Sequence, residues 1–132
     1  MINIKDFNKL EVRRGNAPKE KVLEIVIAKG KAKYMRLTPF FLETYNLQNK
    51  VSVDIFVKKE NKISLIIFKF RDDDKGTLKL SKDKIRGIGY ISATSLFKEL
   101  GIDNNTMKET HFTPKEDTDG KEKVYIIEIP KN

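Results

Sequence analysis

The sequence contains no cysteine and no tryptophan, and His111 is its single histidine. The lack of cysteine excludes disulfide bonds, a thiolate zinc site and a cysteine nucleophile, and it suits a reducing cytoplasm. A single histidine also excludes a multi-histidine metal centre. No apolar run approaches the roughly 20 residues of a membrane-spanning helix, and residues 1–7 lack the apolar segment of a signal peptide. We therefore expect a cytoplasmic protein with no cofactor and no membrane association.

Charged side chains, by contrast, are abundant and unbalanced in sign. Of the 132 residues, 39% are hydrophobic, which is enough apolar material for one compact core, and 35% are charged. Lys and Arg number 27 against 19 Asp and Glu, so the formal net charge is +8. An excess of positive charge favours polyanionic partners such as nucleic acid.

Most of the apolar pattern is typical of β-strands. Residues 51–57 alternate with period two, a polar turn follows at 58–62, and an apolar run then continues to Phe70. This pattern predicts a β-hairpin over residues 51–70. Further strands are expected at residues 22–27, 77–80, 86–92 and 124–129. The pattern therefore indicates a mainly β protein.

Two short helices are expected to interrupt the strands. Thr38 is suited to cap a helix that begins at Pro39, since proline is favoured at the first helical position. Ser92 or Thr94 is expected to start the second helix, which Gly101 ends.

The two predicted helices lie in equivalent positions of an internal repeat. Residues 34–43 align with residues 90–99, and Tyr, Thr, Phe and Glu recur there at identical offsets. After a one-residue gap, residues 45–47 align with residues 100–102. Each copy has the order strand, basic loop, strand, short helix and hairpin.

The repeat divides the chain into two units. We interpret residues 22–74 and 75–132 as two ββαββ units that share one core, since about 50 residues bury too little surface to be stable alone. Residues 1–21 stand outside the repeat, as an N-terminal arm or an added strand.

The order of elements resembles the AbrB-type swapped-hairpin unit. The matching stretch of the first copy is AKGKAKYMRLTP at residues 28–39, followed by the hairpin at 51–70. Two such units in one chain resemble MraZ-like proteins, and the resemblance implies a monomeric, duplicated, pseudo-dimeric barrel. A narrower resemblance, to small bacterial and phage proteins of unassigned function, is carried by RGNAP at 14–18 and YISA at 90–93, and it implies no chemistry.

Positive charge is concentrated at equivalent positions of the two units. Residues 23–36 and residues 78–90 each carry four cations against one anion. In AbrB-like proteins, basic residues of the strand–loop region contact DNA. The resemblance carries this role to Lys29, Lys31, Lys33, Arg36, Lys82, Lys84 and Arg86. Arg13 and Arg14 are expected to add a contact from the N-terminal arm.

The leading hypothesis is a DNA-binding regulator that holds the duplex backbone through two pseudo-symmetric basic loops. The loop cations are mainly Lys, whereas the planar guanidinium of Arg is the better reader of bases, so phosphate contacts are expected to dominate. The alternative is a phage- or plasmid-borne protein that binds and inhibits a host nucleic-acid enzyme or defence system. A third possibility is an assembly module whose open hairpins pair between chains. The basic loops are also compatible with a solvated lysine-rich rim that binds nothing.

No catalytic group of residues emerges from the sequence. The three adjacent carboxylates Asp72–Asp74 favour a solvated turn, because neighbours on a strand cannot all face one ion. His111 has Glu109 two residues away, a pair that is more typical of surface packing than of acid–base catalysis. Residues 117–120 imitate the start of an EF-hand loop without its remaining ligands. We therefore expect no enzyme activity and no metal site.

Overall fold

Two antiparallel sheets and two short helices make up the described part of the protein. The computed structural model describes residues 23–27, 34–101 and 110–130. The first elements are β1 (Ile25–Ile27), β2 (Tyr34–Leu37), α1 (Pro39–Thr44), β3 (Ser52–Lys59) and β4 (Ile63–Arg71). The later elements are β5 (Leu78–Lys79), β6 (Ser81–Lys82), β7 (Gly89–Ser92), α2 (Thr94–Leu100), β8 (Thr110–Phe112), β9 (Lys115–Asp119) and β10 (Glu122–Pro130).

The described strands are divided between two five-stranded sheets. Sheet A has the order β6-β7-β2-β1-β8, and sheet B has the order β5-β3-β4-β10-β9. Neighbouring strands are antiparallel throughout both sheets. Each sheet combines strands from residues 22–74 with strands from residues 75–132. The mainly β class with two short helices is confirmed, and so is the hairpin formed by β3 and β4.

The expected closed barrel is not found among the described strands. Leu80 separates β5 from β6, and Thr113 and Pro114 separate β8 from β9, so the chain passes between the sheets at both places. Proline has no N–H to donate to a strand ladder, and its position here interrupts the pairing. The strands therefore form two ladders linked by short bends, in place of one continuous barrel.

Thr38 joins the start of α1 to sheet A. Its hydroxyl oxygen accepts hydrogen bonds from the backbone N–H groups of Glu24 (3.2 Å) and Phe41 (3.4 Å). The N–H of Thr38 donates in turn to the carbonyl of Glu24 at 3.1 Å. The expected cap is confirmed, with Pro39 at the first helical position. The same side chain thus fixes both the helix start and the residue that precedes β1.

Helix α2 differs from α1 at its start and matches it at its end. It begins at Thr94, with Ala93 at the N-cap position and no side-chain cap, so the expectation that Ser92 or Thr94 caps this helix is wrong. Gly101 ends α2 in the left-handed conformation, with φ of 67°. Asn46 follows α1 with φ of 55°, so the aligned positions after both helices have positive φ.

One cluster of buried side chains joins both sheets and both helices. Burial raises the pKa of the Tyr125 phenol to about 12, and its ring centre lies 5.3 Å from that of Phe41. Ile127 is buried whereas its neighbour Ile126 is partly exposed, because adjacent residues of a strand face opposite sides of the sheet. The largest fully buried side chains are Tyr125, Phe41, Phe68, Phe97, Ile25, Ile27, Met35, Leu37, Leu42, Ile66, Ile91 and Ile127.

The two aligned threonines provide a test of this account. Thr38→Ala is expected to lower the free energy of unfolding by about 1–2 kcal/mol, because two backbone N–H groups lose their acceptor. Thr94 caps nothing, so Thr94→Ala is expected to change the free energy of unfolding by less than about 0.5 kcal/mol. Urea denaturation of both variants, and of Thr38→Ser as the variant that keeps the hydroxyl, measures the difference. Equal effects of the two alanine substitutions would contradict the role given to Thr38.

Candidate nucleic-acid interface

The turn between β6 and β7 is organised by Asp83. One oxygen of its carboxylate accepts hydrogen bonds from the backbone N–H groups of Ile85 (2.9 Å) and Arg86 (3.2 Å). Its own N–H donates to the carbonyl of Ile88 at 2.9 Å, and its carbonyl accepts from Gly87 at 2.8 Å. The two N–H groups on the carboxylate are the main reason why the pKa of Asp83 lies below its usual value. The turn is therefore ordered by its own hydrogen bonds.

Residues Lys84–Arg86 form the exposed tip of this turn, called here the 84–86 tip. Ile85 is 96% exposed. The side chain of Arg86 is 73% exposed, and its Nε lies 3.9 Å from a carboxylate oxygen of Asp83. An exposed ion pair of this kind contributes little, so the guanidinium can also bind another anion. The tip thus presents an apolar side chain between two cations.

Lys82, at the end of β6, has a different environment. Its ammonium donates hydrogen bonds to the backbone carbonyls of Gln48 and of Lys50, the latter at 2.7 Å. Desolvation lowers the pKa of Lys82. Both carbonyls lie between α1 and β3, so Lys82 ties β6 to that segment. The sequence groups it with Lys84 and Arg86, but its ammonium is already engaged within the protein.

Arg36 lies on the outer face of sheet A, in the central strand β2. Its neighbours Met35 and Leu37 are fully buried on the opposite face. Its cross-strand partners are Val26 in β1 and Tyr90 in β7. Because directly opposed residues of paired strands point to the same side, Arg36 and Tyr90 share the outer face.

Two aligned tyrosines lie on the same outer face. The ring centres of Tyr34 and Tyr90 are 6.5 Å apart with an interplanar angle of 82°, an edge-to-face contact. Tyr34 is 47% exposed. The outward residues Tyr34 and Arg36 of β2 and Tyr90 and Ser92 of β7 are called here the β2–β7 face.

The described strand ends from which the two basic stretches leave sheet A lie at opposite ends of the β2–β7 face. Gly89, which follows the turn at 83–88, lies beside Leu37 at one end of β2. The chain leaves β1 at Ile27 and enters β2 at Tyr34, at the other end. Three residue steps of a strand separate the two ends by about 10 Å.

The remaining predicted contacts lie outside the described residues. These are Arg13 and Arg14 of the expected arm, and Lys29, Lys31 and Lys33 of the stretch between β1 and β2. Their roles stay predictions. The ends of β1 and β2 nevertheless establish at which end of sheet A the three-lysine stretch is attached.

Two of the three carboxylates in the acidic turn after β4 are paired with cations. The carboxylate of Asp73 accepts two hydrogen bonds from the guanidinium of Arg71, at 2.8 and 3.0 Å, which lower its pKa to about 2. Asp72 lies 2.8 Å from the ammonium of Lys50. Among the residues that the structure describes, no group of three or more histidine or acidic side chains could hold a metal ion.

His111 on β8 contacts an acid other than the one its sequence neighbours suggest. Its Nδ1 lies 2.7 Å from a carboxylate oxygen of Glu24, next to β1, whereas Glu109 lies outside the described residues. The contact joins β8, an edge strand of sheet A, to the residue before its neighbour β1, and it is typical of surface packing.

Comparisons with protein-family models, with curated proteins and with solved structures find no match to this chain. Within the described ranges, no helix has the length and apolar character needed to cross a membrane. The fold defines a mainly β protein with two antiparallel sheets. Inferences about function therefore rest on the β2–β7 face and the loops at its ends.

The contrast between two lysines of one hairpin can be measured. Lys82→Met is expected to lower the free energy of unfolding by about 1–2 kcal/mol, because two backbone carbonyls lose a charged donor. Lys84 is exposed, so Lys84→Met is expected to change the free energy of unfolding by less than about 0.5 kcal/mol. Thermal and urea unfolding of the two variants give the comparison. If both substitutions left stability unchanged, the ammonium of Lys82 would have no structural role.

Proposed function

We propose that the protein binds duplex DNA through the β2–β7 face and the basic loops at its two ends, and that it acts as a DNA-binding regulator. The observation that carries the proposal is the position of the 84–86 tip. Its two exposed cations lie at one end of the face, and the three-lysine stretch joins at the other. Neutralisation of phosphates by such cations releases counterions, which drives binding.

We also propose that the two halves of sheet A are related by an internal twofold, which makes the two loops equivalent. The repeat alignment makes Met35 equivalent to Ile91, and these two residues are paired directly across β2 and β7. The alignment also makes Tyr34 equivalent to Tyr90 and Arg36 equivalent to Ser92. The pair Tyr34–Ser92 on one side of Met35–Ile91 is therefore equivalent to the pair Tyr90–Arg36 on the other side. A register in which equivalent residues pair with each other supports a duplicated ββαββ chain.

The exchange of strands between the units supports the same duplication. Strand β1 of the first unit pairs with β8 of the second, and β5 of the second unit pairs with β3 of the first. The second hairpin strands, β4 and β10, pair with each other. This exchange is what the resemblance to swapped-hairpin proteins implies. It favours a monomer in which each unit completes its sheets with strands of the other.

The chemistry of the loops favours contacts with the DNA backbone. Most of the cations near the face are lysines, whose ammonium acts as a compact point charge and does not match base edges in two places at once. Phosphate contacts position a protein on the duplex but carry no sequence information directly. We therefore expect weak sequence preference and a steep dependence of affinity on salt concentration.

The salt dependence tests the contribution of the 84–86 tip. The double variant Lys84→Ala/Arg86→Ala is expected to reduce the slope of log K against log[salt] by about 2, since each phosphate contact contributes about 0.9. The matched variant Lys58→Ala/Lys62→Ala removes the same charge from the hairpin of sheet B and is expected to leave the slope nearly unchanged. Fluorescence anisotropy with a labelled mixed-sequence duplex measures both. An equal loss in the two variants would show that bulk charge governs binding.

The opposite end of the face has its own test. Replacing Lys29, Lys31 and Lys33 together by Glu is expected to abolish duplex binding while circular dichroism and thermal unfolding stay close to those of the wild type. A wild-type protein that binds no duplex even at low salt would overturn the proposed function. Recovery from host lysate of one stoichiometric protein partner, insensitive to nuclease, would favour the alternative of a protein-binding inhibitor.

A further inference from the structure

Ile85 projects into solvent from an ordered turn. It is 96% exposed, against 53% for Phe56, 47% for Tyr34 and 42% for Val51. An apolar side chain left in water contributes no burial to folding, so the core does not account for an isoleucine at this position. The N–H of Ile85 itself is bonded to Asp83. The hydrogen bond to Asp83 thus holds the backbone of Ile85 in a conformation that points its side chain into solvent.

The base of the turn, at Gly87, packs close to the start of α1. Gly87 has φ of 72°, a conformation that glycine adopts at little cost. A Cβ at this position would lie 3.6 Å from the Cβ of Pro39, at the start of α1. The turn therefore lies against the helix start, and little conformational freedom is left to be lost when the tip binds a partner.

The neighbours of Ile85 define what kind of site it can enter. Lys84 and Arg86 would be desolvated if the tip entered an apolar protein pocket, which is costly without matching acids. A nucleic-acid groove has phosphates along both walls and base edges between them. Residues two steps apart in a chain are at most about 7 Å apart, which is close to the roughly 6 Å width of the DNA minor groove.

We propose that Ile85 is a wedge that enters the minor groove of duplex DNA, while Lys84 and Arg86 contact phosphates on its two walls. The inference rests on the DNA binding proposed above and specifies how one loop achieves it. Proteins that bind the minor groove insert apolar side chains, isoleucine among them, against or between base steps and thereby kink the duplex. Ile85 supplies such a side chain at the end of a rigid turn.

The stretch that the repeat makes equivalent to this turn has no counterpart of Ile85 in its sequence. The stretch at the other end, residues 28–33, reads AKGKAK and has no apolar residue larger than alanine. Its side chains suit contacts with phosphates and leave no isoleucine to insert. The two equivalent loops therefore make unequal contacts, and the protein binds with a kink at one end of its footprint.

Affinity measured over a range of salt concentrations separates the wedge from the cations. Ile85→Ala is expected to weaken binding to a mixed-sequence duplex about tenfold at every salt concentration, with an unchanged slope of log K against log[salt], because no charge is removed. Val51→Ala, at an exposed apolar position before β3, is the matched control and is expected to leave affinity unchanged. Thermal unfolding of both variants confirms that each is folded.

Bending of the duplex supplies an independent readout. With the wild type, the efficiency of energy transfer between dyes at the two duplex ends is expected to rise, because a kink brings the ends closer together. The fluorescence of a 2-aminopurine at the kinked base step is expected to increase, because the base unstacks. At saturating concentration, Ile85→Ala is expected to bind without either signal. Lys84→Ala/Arg86→Ala should keep both signals once it is saturated.

The outcomes distinguish the wedge from the function on which it rests. If the wild type binds the duplex and Ile85→Ala matches it in affinity and bending, the wedge is overturned while DNA binding stands. If the wild type binds no duplex, both proposals fail. If Ile85→Ala instead abolishes binding to anionic phosphatidylglycerol vesicles, or to a purified host protein, with no effect on a duplex, the wedge is likewise overturned.

Discussion

The pairing of β2 with β7 is the contact on which the rest of the structure depends. These strands come from opposite halves of the chain, and Met35 and Ile91 lie fully buried at the centre of their ladder. Because α1 follows β2 and α2 follows β7, the same register also positions both helices. A slip of one residue would turn Arg36 toward the core and expose Met35 and Leu37, so burial on one face specifies the register. The positions of the turn at 83–88 and of the strand end at Tyr34 follow from it.

The long strands of sheet B are readable in the sequence, whereas the division into two sheets is not. The alternation of residues 51–57 is the signal that predicts the hairpin. In β4, buried and partly exposed residues alternate over all nine positions, although the sequence there is a nearly continuous apolar run. The bends between the sheets involve β5 and β6, of two residues each, and β8, of three, which are too short to show a period. The continuous apolar run at 124–127 likewise conceals the alternation that turns Ile126 outward.

The sequence locates the cations of the candidate site but does not reveal how each one is used. Lys82 and Lys84 are two residues apart in one basic stretch, yet the ammonium of Lys82 is bonded to carbonyls of Gln48 and Lys50. Those acceptors are more than thirty residues earlier in the chain, so tertiary packing alone brings them together. Ile85 was missed because a lone apolar residue among cations indicates neither core nor site. An aspartate at 83 followed by Gly87 is the available signal, since both residue types favour turns.

In the proposed DNA complex, the turn at 83–88 combines two kinds of binding energy that respond differently to solution conditions. The contribution of its cations decreases as salt rises, because counterion release then gains less, whereas contact of an apolar side chain with base edges depends mainly on the area removed from water. Asp83 holds the backbone of both Ile85 and Arg86, so the spacing of the backbone positions that carry the apolar and cationic side chains is set before binding. Lysines alone attract any polyanion. An exposed apolar side chain between two cations fits a polyanion whose charged groups flank a groove lined by stacked bases. This fit is the physical reason for proposing duplex DNA in preference to other polyanions.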